Sequence, residues 1–338
     1  MRRPVKVAVP DLIALPKVQL HCHLEGTTRA STFRDLASRA GIDVGPEPYA
    51  FTDFGGFLYV FIRVLKSLDR PADYARIARE WAEDAREQGV LHAELFVSPS
   101  GWQRLHPELP LRETMEAVRE ALDAAEAAGG PSAELIVDLT RNFGPDAGLV
   151  SVDFAASCRD LGVIGIGLGG DEANFPTADF VRPFQHAAAL GLHRHVHAGE
   201  AAGPESVRDA VELLGAERIG HGVRAADDPG VVALLARRRV PIEVCPTSNR
   251  LTGAVRPGAL HPLAAFDAAG IPVVIDADDP ALFGTTLVEE YRAAAALAGD
   301  DAPERFARNA VEASFAAPER KMRLRAAFGK PTGPGRRS

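Results

Sequence analysis

Lys17-Val18-Gln19-Leu20-His21-Cys22-His23 is the stretch on which the fold turns. Its side chains alternate as in a strand, with Val18, Leu20 and Cys22 on one face and Gln19, His21 and His23 on the other. Two imidazoles at i and i+2 therefore point the same way at the strand's end. A rigid element offers nitrogens to one metal ion in this manner. An open doubly wound sheet would carry a Gly-x-Gly-x-x-Gly turn after its first strand, and here His-x-His stands there instead. The glycines of Gly165-Ile166-Gly167-Leu168-Gly169-Gly170 fall largely within a later strand and run into Asp171-Glu172, a poor phosphate cradle.

Outward from that strand, short apolar runs recur at 18–23, 91–97, 135–139, 163–168, 193–197, 218–223, 242–245 and 273–276. Amphipathic helical stretches, such as 74–88, 111–128 and 204–214, lie between them. Eight strands alternating with helices predict an α/β fold, a closed (β/α)8 TIM-type barrel. Extra helices are expected after the first strand, at 28–40 and 54–68, and closing helices at 282–297 and 303–327. The 54–68 segment, with Phe57, Leu58 and Phe61, reads either as an apolar lid over the barrel mouth or as an ordinary packing face. Residues 1–329 read as one domain and the Pro-, Gly- and Arg-rich 330–338 as a disordered tail.

The composition narrows the function classes. With 46% apolar and 25% charged residues over 338 positions, the chain can bury a large core. A net charge of −8 argues against a nucleic-acid partner, which would need clustered Lys and Arg. The N-terminus lacks the apolar core of a signal peptide and no stretch is apolar enough to span a bilayer, so a cytoplasmic protein without a membrane partner is expected. Cys22, Cys158 and Cys245 are odd in number and widely spaced, which points to reduced, buried thiols rather than disulfides or a thiolate zinc site. The sequence does not fix an oligomeric state.

In a barrel of this type the chemistry sits at the C-terminal ends of the strands. Those ends carry His21 and His23, His197 followed by Glu200, His221, and the pair Asp278-Asp279. Three histidines and a carboxylate suit Zn2+ with a position left for water. Each residue alone has a plainer reading. His193, His195 and His197 can form a polar lining, His221 a turn, Asp279 a helix cap, and Glu200 a favourable charge at a helix start. Cys22 should face away from the two histidines, into the core.

The strings Leu15-Pro-Lys-Val-Gln-Leu-His-Cys-His-Leu-Glu-Gly26, Leu168-Gly-Gly-Asp-Glu172, Gly191-Leu-His-Arg-His-Val-His-Ala-Gly-Glu200, Arg218-Ile-Gly-His-Gly222, Glu243-Val-Cys-Pro-Thr-Ser-Asn249 and Asp278-Asp-Pro280 resemble the adenosine deaminase family, in the family's order and over nearly the whole chain. The resemblance implies one Zn2+ per chain bound by His21, His23, His197 and Asp278. It implies Glu200 as proton donor to purine N1, His221 as the group that orients the attacking water, Asp279 as partner of N7 and Gly170 as a backbone contact to N3. The implied reaction is hydrolytic deamination at C6 of a 6-aminopurine nucleoside, a small-molecule partner.

The chain departs from the family at two places. Glu25 stands where many members have an aspartate that contacts the ribose 5′ side, and Ile275-Asp276-Ala277 replaces a stretch resembling Leu-Asn-Thr. Glutamate there resembles relatives acting on adenine or on 5′-substituted adenosines, aminodeoxyfutalosine of menaquinone biosynthesis among them. A nucleoside is favoured, since the Leu-Gly-Gly-Asp-Glu pattern is kept. The alternatives are an adenine deaminase, a binuclear amidohydrolase and a catalytically silent nucleoside-binding barrel. A carboxylated lysine bridging two metals is not on offer, because no lysine lies between Lys66 and Lys321.

Overall fold

Eight parallel strands succeed one another in sequence order: β1 Lys17–His23, β2 Val90–Val97, β3 Ser132–Thr140, β4 Val163–Gly169, β5 His193–Ala198, β6 Arg218–His221, β7 Ile242–Val244 and β8 Val273–Ile275. The structure, a computed structural model, describes residues 11–329; the expected disordered tail lies outside them, as does most of the N-terminal stretch. Past the end of β8 the backbone turns to β1: His23 N donates to Asp278 O at 3.0 Å and Asp278 N donates to the His21 carbonyl at 3.1 Å. The ring is thus a nearly closed (β/α)8 barrel, as the periodicity predicts.

Between β1 and β2 lie three helices, α1 Ala30–Arg39, α2 Phe54–Ser67 and α3 Pro71–Glu87. The side chain of Asp53 starts α2 by accepting from Gly56 N at 2.8 Å. This helix is apolar on nearly every side. Val60 and Val64 are buried in the core, while Phe54, Phe57, Leu58, Phe61, Ile62 and Leu65 line a cavity over the barrel mouth. The segment thus packs into the core by one face and lines the cavity by another. After β2 comes α4 Pro99–Leu105, whose Gly101, Arg104 and Leu105 reach the same cavity.

The strict alternation expected for β1 does not hold along its whole length. Gln19 pairs with Ala93 and Cys22 with Leu95, so three steps of β1 oppose two of β2, which is a β-bulge. The extra residue places Gln19 on the side of Cys22. Its Oε1 accepts from Trp81 Nε1 of α3 at 3.2 Å, while His21 and His23 converge inside the barrel as expected. Leu20 N donates to Asp276 Oδ1 at 2.8 Å, so the bulge is filled by a side chain from the β8 end. Val18 and Leu20 pack with Val274, Ala310, Val311 and Leu324, a cluster separate from the one holding Cys22.

A second correction concerns the closing helices. The single helix expected over 303–327 is two, Ala302–Ala313 and Pro318–Ala327, parted at a Ser-Phe-Ala-Ala turn. Pro318 disfavours helical backbone at the residue before it. In the turn, Phe315 lies under the barrel, stacked on His193 at 4.1 Å and under the Arg218 guanidinium at 3.7 Å. The strand expected over 218–223 ends at His221, where the backbone turns left-handed. All three cysteines are buried and unpaired, as read. Among the described residues no helix is long and apolar enough to cross a membrane.

Candidate active site

Strands β1, β5, β6 and β8 bring His21, His23, His197, His221 and Asp278 to one rim. The three imidazoles of His193, His195 and His197 form successive levels of β5, and only His197 reaches that rim. His221 follows Gly220, which faces inward, since a Cβ there would meet His21 Cε1 at 2.7 Å. Alternation would send His221 outward. A φ of 62° turns it back, so its ring lies 4.9 Å from that of His21 and 5.3 Å from that of His197. Asp278 has a φ of 61°. Left-handed backbone costs non-glycine residues on the order of 1–2 kcal/mol, and here it re-aims groups with chemistry.

Tautomers follow from the fixed partners. His197 Nδ1 lies 3.1 Å from the Leu168 carbonyl and must donate, which leaves the Nε2 lone pair free; that atom sits 3.1 Å from His23 Nε2. His21 Nδ1 faces the Glu243 carboxylate at 3.2 Å and its Nε2 faces Asp278 Oδ1 at 3.4 Å, with His23 Nε2 3.5 Å from the same oxygen. His21 is fully buried, yet neither of its nitrogens makes a well-aligned hydrogen bond within the protein. Burial takes His23 down to about 3, and burial with the neighbouring imidazoles holds His197 well below its ordinary value, so both are neutral. Against the effect of burial, the close approach of His21 Nε2 and the nearby imidazoles keep Asp278 ionised. Two neutral imidazoles and the Asp278 carboxylate face a common centre with His21, which Asp278 and Glu243 raise well above its ordinary value against the effect of burial, and the set fits a divalent cation that takes the place of the His21 proton.

Glu200 stands above this cluster with Oε2 3.6 Å from His221 Nε2. Burial, then the Asp278 and Glu172 carboxylates, push it up to about 8. Its backbone is fixed by Glu172, which accepts from the N–H groups of Gly199 (2.6 Å), Glu200 (3.0 Å), Ala201 (2.7 Å) and Ala202 (3.0 Å) and from Ser206 Oγ (2.5 Å). The proton on His221 is fixed from further away. Leu263 N donates to His261 Nδ1 at 3.1 Å, so His261 Nε2 carries the hydrogen offered to Asn249 Oδ1 at 3.3 Å. Asn249 Nδ2 then donates to His221 Nδ1 at 3.0 Å, which leaves His221 Nε2–H directed to the cavity side.

The cavity of about 330 Å³ is lined by His23, His197, Glu200, His221, Asp278, Asp279 and Gly170. Its outer wall is apolar, with Phe143 and Leu105 opposite α2. Arg104, which rests against the Phe143 ring at 4.9 Å, is the one arginine or lysine on it among the described residues. Glu25 is not on that wall. Its Oε1 accepts from Ser98 N at 2.9 Å and Trp102 Nε1 at 2.6 Å, which anchors α4. Asp276 is equally absent from it, being spent on the bulge of β1. Sequence reasoning missed Glu243, Asn249 and the clamping role of Glu172, although all three lie within the quoted strings. It also missed His261 and Asp138, for which no motif gave a signal.

The adenosine deaminase family model matches residues 16–330. The chain belongs to this family. It is 38% identical over 326 residues, 93% of the chain and 83% of the relative, to the aminodeoxyfutalosine deaminase of Streptomyces coelicolor. The structure of an adenine deaminase from Arthrobacter aurescens is similar with a TM-score of 0.86 at 33% identity, over 93% of this chain and 98% of that one. An amidohydrolase from Burkholderia ambifaria with bound Zn superposes with a TM-score of 0.85 at 30% identity, over 94% and 90% of the two chains. The protein is accordingly a hydrolytic deaminase acting on C–N bonds, in a metal-dependent superfamily.

Proposed function

We propose that this deaminase hydrolyses the 6-amino group of a purine nucleoside with one Zn2+ per chain, and that its substrate is extended at the 5′ carbon, as in aminodeoxyfutalosine. The observation that supports the chemistry is the approach of His21 and His23 to Asp278 Oδ1 at 3.4 and 3.5 Å and of His23 Nε2 to His197 Nε2 at 3.1 Å, four metal donors beneath a carboxyl group that burial keeps protonated. A bound zinc ion supplies a Lewis acid and lowers the pKa of water from 15.7 toward about 7.

The rest is done by the chain. Protonated Glu200 donates to N1, so the ring can accept the electron pair that the nucleophile brings to C6. His221, held as the Nε2–H tautomer, donates to the attacking oxygen and directs its lone pair at C6. Asp279 meets N7 and the Gly170 backbone meets N3, which fixes the face of the ring that is attacked. The substrate reading rests on the outer cavity, whose apolar wall exceeds what a polar ribose needs. Arg104 at its mouth gives an anionic end of the 5′ extension a cation to meet. Similarity to the aminodeoxyfutalosine deaminase of Streptomyces coelicolor supports the same substrate.

Elemental analysis and product detection test this together. One zinc per chain and equimolar release of ammonia and a 6-oxopurine nucleoside are expected; two metals per chain, or no ammonia from any adenine nucleoside, contradict it.

A further inference from the structure

The proposed reaction machinery comes from β1, β5, β6 and β8, and the cavity continues past it to Ser98, Asp138, Thr140 and Gly169 at the ends of β2–β4. On that side one buried ionisable group faces the cavity without a partner. Asp138 of β3 is 6% exposed, lines the cavity, and neither of its oxygens accepts a hydrogen bond among the described residues. The neighbouring strand makes room for it. A Cβ on Gly167 would stand 2.5 Å from Asp138 Oδ1, and one on Gly169 2.5 Å from Oδ2. Two glycines on β4 thus make room for a carboxyl group that nothing among the described residues satisfies, and a buried acceptor left in that state is destabilising unless a ligand meets it.

We propose that Asp138 binds a ribose hydroxyl, 2′ or 3′, of the substrate and is a determinant of specificity for ribonucleosides. The inference rests on the nucleoside reading above. Glu25 is committed to Ser98 and Trp102, so the carboxyl group available to a sugar on this side of the cavity is that of Asp138. It lies against Gly169, the residue before Gly170, whose backbone the proposed mechanism assigns to purine N3. A carboxyl group pairs well with a hydroxyl because it accepts when ionised and both accepts and donates when protonated.

The test compares adenosine with 2′-deoxyadenosine and 3′-deoxyadenosine for kcat/KM, and inosine with its two deoxy counterparts for Kd by calorimetry, in wild type, Asp138→Asn and Asp138→Ala. The wild type is expected to favour the riboside about tenfold or more over one deoxy analogue, Asp138→Ala to bring that ratio to within about twofold, and Asp138→Asn to retain part of it. Zinc content and circular dichroism establish that the variants are folded. Equal affinity of the wild type for all three sugars, or undiminished discrimination in Asp138→Ala, overturns the proposal. Absence of ammonia release with discrimination intact in the binding data overturns the deaminase reading and leaves this one standing.

Discussion

His23 and Asp278 are joined twice, by a backbone hydrogen bond of 3.0 Å from His23 N to Asp278 O and by the approach of His23 Nε2 to Asp278 Oδ1 at 3.5 Å. The first contact closes the barrel between the end of β8 and β1. The second belongs to the proposed metal cluster. On that ligand set fold closure and metal ligation share one seam, and loss of the cation should loosen the barrel itself. Chelation is expected to lower the melting temperature by about 5 °C or more, reversibly on adding zinc, as calorimetry would record. An unchanged melting curve would mean that the seam holds without the ion.

Ligation at that seam is open to elemental analysis. His197→Ala and Asp278→Ala should each reduce bound zinc well below one per chain, with activity lost in proportion. Full stoichiometry in either variant would remove that residue from the ligand set.

Glu200→Gln separates binding from proton transfer. The amide keeps the shape of the side chain but cannot give up a proton, so zinc content should stay at wild-type level while kcat falls roughly 10²–10⁴-fold. The pH dependence follows from the same group. Burial and the two nearby carboxylates push its pKa up to about 8, and in the proposed mechanism the protonated form is the active one. Activity is therefore expected to hold below that value and to fall as pH rises through it; a rate that keeps rising above pH 9 would assign the acid elsewhere.

Much of this site was legible in the sequence because its chemistry depends on strand ends. His21, His23, His197, Glu200, Asp278 and Asp279 each follow an apolar run, and the period of a strand says which way most of them point. Gln19 escaped because one extra residue in β1 reverses its face, and a bulge has no signature in a single sequence. His221 was found as a polar residue at the end of the sixth expected strand, but its orientation depends on a left-handed φ that no pattern predicts. Glu25 illustrates the converse. Its place in the motif was plain, whereas its hydrogen bonds to Ser98 and Trp102 depend on where α4 starts, more than 70 residues along the chain.

Glu172 offers a prediction about order rather than chemistry. One carboxylate satisfies four consecutive N–H groups and a serine, which holds the Glu200 loop in place. Glu172→Ala leaves those donors unmet at a cost of about 3 kcal/mol. Denaturant titration should register that loss, and kcat should fall more than KM rises, because the acid is displaced from its working position. A variant with wild-type stability and kcat would show that the loop is ordered by other means.

The route from Leu263 through His261 and Asn249 to His221 predicts a tautomer that can be observed. Nitrogen-15 spectra of the zinc-bound protein should show His221 protonated at Nε2, and Asn249→Ala should convert part of it to the Nδ1–H form with a loss of kcat of about tenfold. His261→Ala is expected to act in the same direction more weakly. Nδ1–H as the dominant form in wild type would contradict the hydrogen-bond order.

The most direct measurement is ammonia release by the zinc-loaded protein with aminodeoxyfutalosine, adenosine and adenine side by side, compared as kcat/KM, with Glu200→Gln as control. The 5′-extended nucleoside should be favoured by an order of magnitude or more, with adenosine next and adenine last. Adenine as the best substrate, or release undiminished in Glu200→Gln, would contradict the account.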